Sequence, residues 1–224
     1  MIDYTLTRSN RKTIAIYIRN GVVEVRAPLK ATKKDIENFL LSKDKLIEDR
    51  LVISEKQAKS RESFKLDYGD TALYLGNEYP IAAKPGNLIG FDNCFYMPEG
   101  LPPEEIRAAC VQIYRLLAKR DLSNRVWHFS EMMSVSVNAV RINGAKTRWG
   151  SCSSQKSLNF SWRLIMADSD VVDYVVVHEL AHITEMNHSQ KFWSIVNAVL
   201  PDYHERKRRL RELNLRLANE DWEN

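Results

Sequence analysis

A helix that is apolar on nearly every side has to lie inside its protein, with other elements packed around it. The stretch from Asp168 to His182 predicts such a helix. Val171, Val172, Val175, Val176, Val177 and Leu180 occupy every face, and Asp170 and Asp173 sit in the first turn, where negative charge is favourable. The apolar run is too short, and too interrupted by Asp173, His178 and Glu179, to span a bilayer. The fold expected is therefore one built around this segment.

The polar residues in that helix carry the chemical signal. His178-Glu179-Leu180-Ala181-His182 has the form HExxH. Two histidines four residues apart lie on one helix face, one turn above the other. Their imidazoles can meet one metal at roughly 2.0–2.1 Å. Glu179 points roughly 100° away around the axis, beside the ion, where it can hold a water and take its proton. Buried His and Glu without a partner would be costly, so a core helix that merely happens to carry them is the weaker reading.

A catalytic zinc usually takes three protein ligands and leaves one place open. Glu185 shares the helical stripe but lies roughly 10 Å along the axis from His178. His188 is better placed, because the helix is expected to end after about Met186, with Asn187 tolerating a left-handed turn. Of five histidines in the chain, three fall at 178, 182 and 188; the others are His128 and His204. Glu205 or Glu212 could serve as a ligand from a later helix, but His188 makes that search unnecessary. Cys152 is the one cysteine imaginable in a closed structural site, and such sites usually hold several.

The rest of the chain reads as β, α, β, α, β, α, an α+β arrangement. Thr13 to Ile18 and Val22 to Arg26 predict a hairpin turning at Asn20-Gly21. Thr32 can cap a helix running to about Ser54, followed by a polar linker over 55–63. Asp67 to Met97 reads as a meander of short strands. Pro102-Pro103 opens a helix with Ile106, Cys110, Ile113 and Leu117 on its buried stripe. Ser134 to Ile142 reads as a strand. Thr147–Ser153 and Leu158–Leu164 read as a hairpin, with Asn159, Ser161 and Arg163 on its polar face. Ser189 caps a further helix ended by Pro201, and a last amphipathic helix follows. The expected division is an N-terminal β-rich lobe with one helix over 1–100 and a catalytic domain over 101–224.

The residues from Lys146 to Trp193 resemble the YgjP-like metallopeptidase family, a group within the zincins. The words that carry the resemblance are Lys146-Thr147-Arg148-Trp149-Gly150-Ser151-Cys152-Ser153, Leu158-Asn159-Phe160-Ser161-Trp162-Arg163-Leu164, Asp173 to His182, Met186-Asn187-His188-Ser189 and Phe192-Trp193. The resemblance implies a zincin-like catalytic domain with His188 as third ligand. SprT-like and WLM-type proteases, which cut proteins crosslinked to DNA, look like relatives. Metzincins place their third histidine at the same spacing, but they have glycine where Glu185 stands and a later Met-turn, and no methionine follows Met186.

The expected function is a zinc-dependent metallopeptidase holding one ion, hydrolysing peptide bonds by attack of a metal-activated water with Glu179 as general base. Arg148, Asn159, Tyr203 and His204 are candidates for substrate or oxyanion contacts. An edge strand of the 147–164 hairpin could pair with an extended peptide, as zincin edge strands do. Alternatives are a hydrolase of non-peptide amides, a DNA-associated SprT-like protease, and a non-catalytic metal-binding module. Net charge is only +4 and hydrophobic residues make up 44%, which does not by itself imply nucleic acid. The run Arg206-Lys207-Arg208-Arg209 is basic, but residues 201–224 hold six acids against six bases, so a solvated helix face is the simpler reading. The start of the chain lacks the apolar core of a signal peptide. With three scattered cysteines, Cys94, Cys110 and Cys152, this points to a reducing cytoplasm.

Overall fold

Strict alternation decides the first sheet. In β3 (Val22–Pro28), Val23, Val25 and Ala27 point to one side and are buried, while the residues between them remain in partial contact with solvent. The computed structural model describes residues 2–19 and 21–222. Strand β2 (Ala15–Arg19) runs antiparallel to β3, as the hairpin reading required, and Ile16 and Ile18 pack on the same core. Gly21 has φ +76°, whereas Asn20 of the expected turn lies outside the described residues. A strand not anticipated, β1 (Tyr4–Ser9), pairs parallel with the other edge of β3. Its polar, mostly exposed residues give no alternation to read.

Two helices complete this unit, where one was expected. Thr32 caps α1 (Lys33–Leu41) through a capping box with Asp35, whose carboxylate accepts from the Thr32 backbone N–H and hydroxyl. The helix stops at Ser42-Lys43, and α2 (Asp44–Glu62) begins again. The expected linker at 55–63 is the end of α2. Glu55, Lys56, Gln57, Ala58 and Lys59 are good helix formers with no glycine or proline among them, and propensity outweighs the lack of an apolar stripe. Ile36, Leu40 and Ile47 meet Val23 and Val25 in the core.

The chain divides into two compact units, one of residues 1–64 with 218–221, the other of 65–217 with 222–224. The seam expected at residue 100 falls inside the second unit. Strands β4 (Thr71–Tyr74), β5 (Asn77–Ala83), β6 (Gly90–Phe91) and β7 (Phe95–Met97) form a sheet in the order β4-β5-β7-β6. This sheet packs on α3 (Pro103–Met132), with Phe95 against Tyr114 at 5.0 Å between ring centroids. The meander thus shares a core with the helix after it.

Around α4 (Ser169–Thr184) the second unit is arranged as its composition demands. Val171, Val172, Val175, Val176, Val177 and Leu180 are all buried, each contributing about 1.5–3 kcal/mol. Its neighbours are α3, α5 (Gln190–Val199), α6 (Tyr203–Leu217) and β9 (Gly150–Cys152). Arg125 on α3 pairs with Asp173, and Arg209 on α6 pairs with Asp168 and Asp170 at the start of α4.

A three-stranded sheet lies over the far end of α4, in the order β8-β10-β9, with β8 (Ala139–Asn143) parallel and β9 antiparallel to the middle strand β10 (Ser157–Ser161). The expected second hairpin is therefore present, but β10 stops at Ser161. Trp162–Met166 forms a fully buried 3-10 turn instead of more strand. The predicted wet face also differs. Ser161 and Arg163 are buried, and donate to the carbonyls of Ala145 and Gly144 at 2.8 Å each. A loop covers that side of the sheet, and these two side chains supply donors for its carbonyls.

Candidate active site

His178 and His182 project from the last two turns of α4, as their four-residue spacing requires. The helix ends at Thr184, two residues earlier than expected. It leaves through Glu185 in an extended conformation (φ −137°, ψ 105°), and Asn187 is not left-handed. The early exit is held by the Glu185 carbonyl, which accepts from His182 Nδ1–H at 3.2 Å. That bond leaves His182 Nε2 with its lone pair directed outward. Ser189 then starts α5, its side chain accepting from the Phe192 N–H at 3.3 Å. His188, just before this cap, is turned back onto α4.

The three imidazoles converge. Ring centroids lie 4.9 Å apart for His178 and His182, 4.7 Å for His182 and His188, and 4.9 Å for His178 and His188. One ligand nitrogen from each falls within 4.8 Å of the others, and Nε2 of His188 is 3.0 Å from Nε2 of His178. Nitrogens at about 2.0–2.1 Å around one tetrahedral zinc would be about 3.4 Å apart. The set therefore fits such an ion after small shifts. Among the described residues Cys152 is not part of this cluster, and neither is the Glu185 carboxylate.

Phe192 is the floor. It is fully buried, and its ring lies 4.9, 4.5 and 4.8 Å from those of His178, His182 and His188. Trp193 stacks on His188 at 5.7 Å, and Tyr203 stacks on Trp193 at 5.2 Å. Burial, with the neighbouring His182, His188 and Lys207, pushes His178 down to about 3, so its ring stays neutral and able to act as a ligand. His178 Nδ1 is buried with no hydrogen-bond partner among the described residues, so this ring is oriented by packing.

Glu179 is 5% exposed, and burial pushes its carboxyl up to about 7, opposed in part by Arg148. The reason for its burial is β9. A Cβ on Gly150 would come within 2.6 Å of the Glu179 Cγ and Oε1, so only glycine lets this strand run so close to the carboxylate. In the sequence Gly150 stands only as one residue of the Lys146–Ser153 segment. A glycine in a strand is the signal of close approach, though the sequence does not say to what.

The remaining candidates separate. Arg148 is exposed at the entrance to β9, and its charge reaches Glu179. Asn159 lies on β10 opposite Ser151. Tyr203 is buried in the aromatic wall, and His204 is exposed with its ring 4.0 Å from that of Tyr203. Tyr174, one turn before His178, was missed because it reads as core. Its ring lies 5.9 Å from His178, and its hydroxyl is pushed up to about 12 by burial and by nearby Tyr203 and Glu179.

The three arginines of the basic run on α6 are occupied internally. Arg206 pairs with Asp202, Arg208 with Glu205 and Glu212, and Arg209 with Asp168 and Asp170. Among the described residues no helix is long and apolar enough to cross a membrane.

The chain has 22% identity to the metallopeptidase zymogen abylysin of Pyrococcus abyssi, over 41% of this chain and 92% of that one, with a TM-score of 0.38. For the zymogen jannalysin of Methanocaldococcus jannaschii the values are 20%, 41%, 94% and 0.36. No curated protein matches. The family described as YgjP-like, metallopeptidase domain, matches residues 12–213, nearly the whole length. The chain belongs to that family of metal-dependent proteases.

Proposed function

We propose that this protein is a zinc peptidase in which His178, His182 and His188 hold one ion and Glu179 is the general base. The observation that supports it most is the meeting of three imidazole nitrogens within 4.8 Å beside a buried carboxylate. Zinc held there would supply a Lewis acid that polarises the scissile carbonyl and makes water acidic near neutral pH. The chain's own groups do the rest. Glu179, with a proton affinity poised near pH 7, accepts the proton of the attacking water and passes it to the departing amine. His182 keeps one tautomer because its Nδ1–H is committed to Glu185. Phe192 closes the floor against solvent.

On this reading the substrate strand adds to β9. Strand β9 is an edge of its sheet, paired only with β10 among the described residues, and its Gly150 lies against Glu179. A peptide adding antiparallel to that edge would bring its backbone past the base, with affinity from main-chain hydrogen bonds. Arg148 and Tyr203 flank the site as candidate oxyanion donors. Cys94, Cys110 and Cys152 are unpaired, which supports a reducing, cytoplasmic location. The test is metal analysis with cleavage of a peptide library by wild type and Glu179→Gln, with and without chelator. Chelator-sensitive cleavage by wild type alone is expected. Cleavage retained by the variant would remove Glu179 from its role.

A further inference from the structure

Lys207 stands apart from the arginines on either side of it. Arg206 is held by Asp202, Arg208 by Glu205, and Arg209 by Asp168 and Asp170. One position out of step, Lys207 faces α5 instead. Its Nζ lies 4.8 Å above the Trp193 ring, and among the described residues it has no carboxylate at ion-pair distance. A cation over an indole gains attraction but keeps its full charge. Trp193 is in turn stacked on His188, so the ammonium is fixed one ring away from the three-histidine cluster.

A half-buried, oriented ammonium beside a peptidase site has one evident kind of partner. We propose that Lys207 is a specificity-determining residue that receives a carboxylate of the peptide substrate next to the three-histidine site. The inference rests on the peptidase reading above and narrows it to substrates with a negative charge near the scissile bond. The aromatic wall of Trp193 and Tyr203 supports the residue that carries that carboxylate, and the ammonium pairs with it. Asp or Glu side chains and a free C-terminus share this chemistry.

The test uses zinc-loaded full-length protein and alanine hexapeptides. A single Glu, or its isostere Gln, occupies each position in turn, with the C-terminus either amidated or free. Wild type should favour the peptide with the carboxylate by about fivefold in kcat/KM at low salt, the size expected of one partly exposed ion pair. The preference should appear mainly in KM and shrink as salt is raised. Lys207→Gln should bring the Glu-to-Gln ratio close to one, and Lys207→Arg should keep it. A preference that follows Glu in amidated peptides identifies a side chain. One that follows the free terminus identifies the terminal carboxylate. Equal cleavage of Glu and Gln peptides by wild type in both end forms, or a ratio unchanged in Lys207→Gln, overturns the proposal. Binding of the same peptides to Glu179→Gln, followed by tryptophan fluorescence, separates the two readings. Charge-selective binding that depends on Lys207 without cleavage by wild type would keep this site and sink the peptidase reading.

Discussion

Two side chains next to each other in sequence are pushed in opposite directions. His178 is held at about 3 by burial first and by nearby positive charge, while burial raises Glu179 to about 7. In the metal-free protein each links folding to pH. The unfolded chain protonates its imidazole below about 6.5, but folded His178 does not until near 3, so stability is lost as pH falls through that window. For Glu179 the folded form holds its proton more tightly, so stability is lost as pH rises from about 4.5 to 7. Urea denaturation in chelator should therefore show a maximum in mildly acidic buffer, and Glu179→Gln should flatten the decline toward pH 8. An unchanged decline in the variant would assign the pH dependence elsewhere. With zinc bound, Glu179→Gln should retain one ion per chain and lose at least about 100-fold in kcat. Gly150→Ala should also lower kcat more than it raises KM. The added methyl meets the Glu179 carboxylate while the three histidines stay in place.

Elements set where those residues meet. The apolar helix α4 was legible because its composition leaves it only one environment, and HExxH fixed two of the three imidazoles by helical geometry alone. His188 was legible for a different reason, namely the helix end expected near Met186 together with the family resemblance. The details of that exit were not. A tautomer-fixing bond from His182 to the Glu185 carbonyl, rather than a left-handed Asn187, ends the helix, and backbone acceptors have no signature in sequence. Strand β1 and the helical segment 55–62 were missed because neither has amphipathic periodicity. Ser161 and Arg163 looked like a wet strand face because the loop that covers them is distant in pattern though close in sequence. The Ser189 cap yields a prediction at this scale. Ser189→Ala should cost about 1 kcal/mol of stability and weaken zinc binding several-fold, because His188 loses the anchor that turns it inward. Zinc affinity equal to wild type by competition with a chelating dye would show that His188 is positioned by Phe192 and Trp193 alone.

For the whole molecule, the chain's division matters more than its mild net charge. The meander at 71–97 belongs with α3 through Phe95 and Tyr114, so a fragment beginning at residue 101 should lose part of that core. A fragment beginning at 65 keeps it. Metal binding should act on the second unit as a ligand that favours the folded state. Zinc at about a thousandfold over its Kd contributes about 4 kcal/mol, a rise of about 10 °C in melting temperature for a unit of this size. Calorimetry with and without chelator measures it. A melting temperature insensitive to zinc would mean that the imidazoles meet without holding an ion.

The convergence of His178, His182 and His188 on one ion is tested most directly by zinc-edge X-ray absorption on the wild type and on His188→Ala. The account predicts one zinc per chain, three imidazole nitrogens at about 2.0–2.1 Å, and two in the variant. A sulfur ligand in the wild type, or an imidazole count that does not change when His188 is removed, would contradict it.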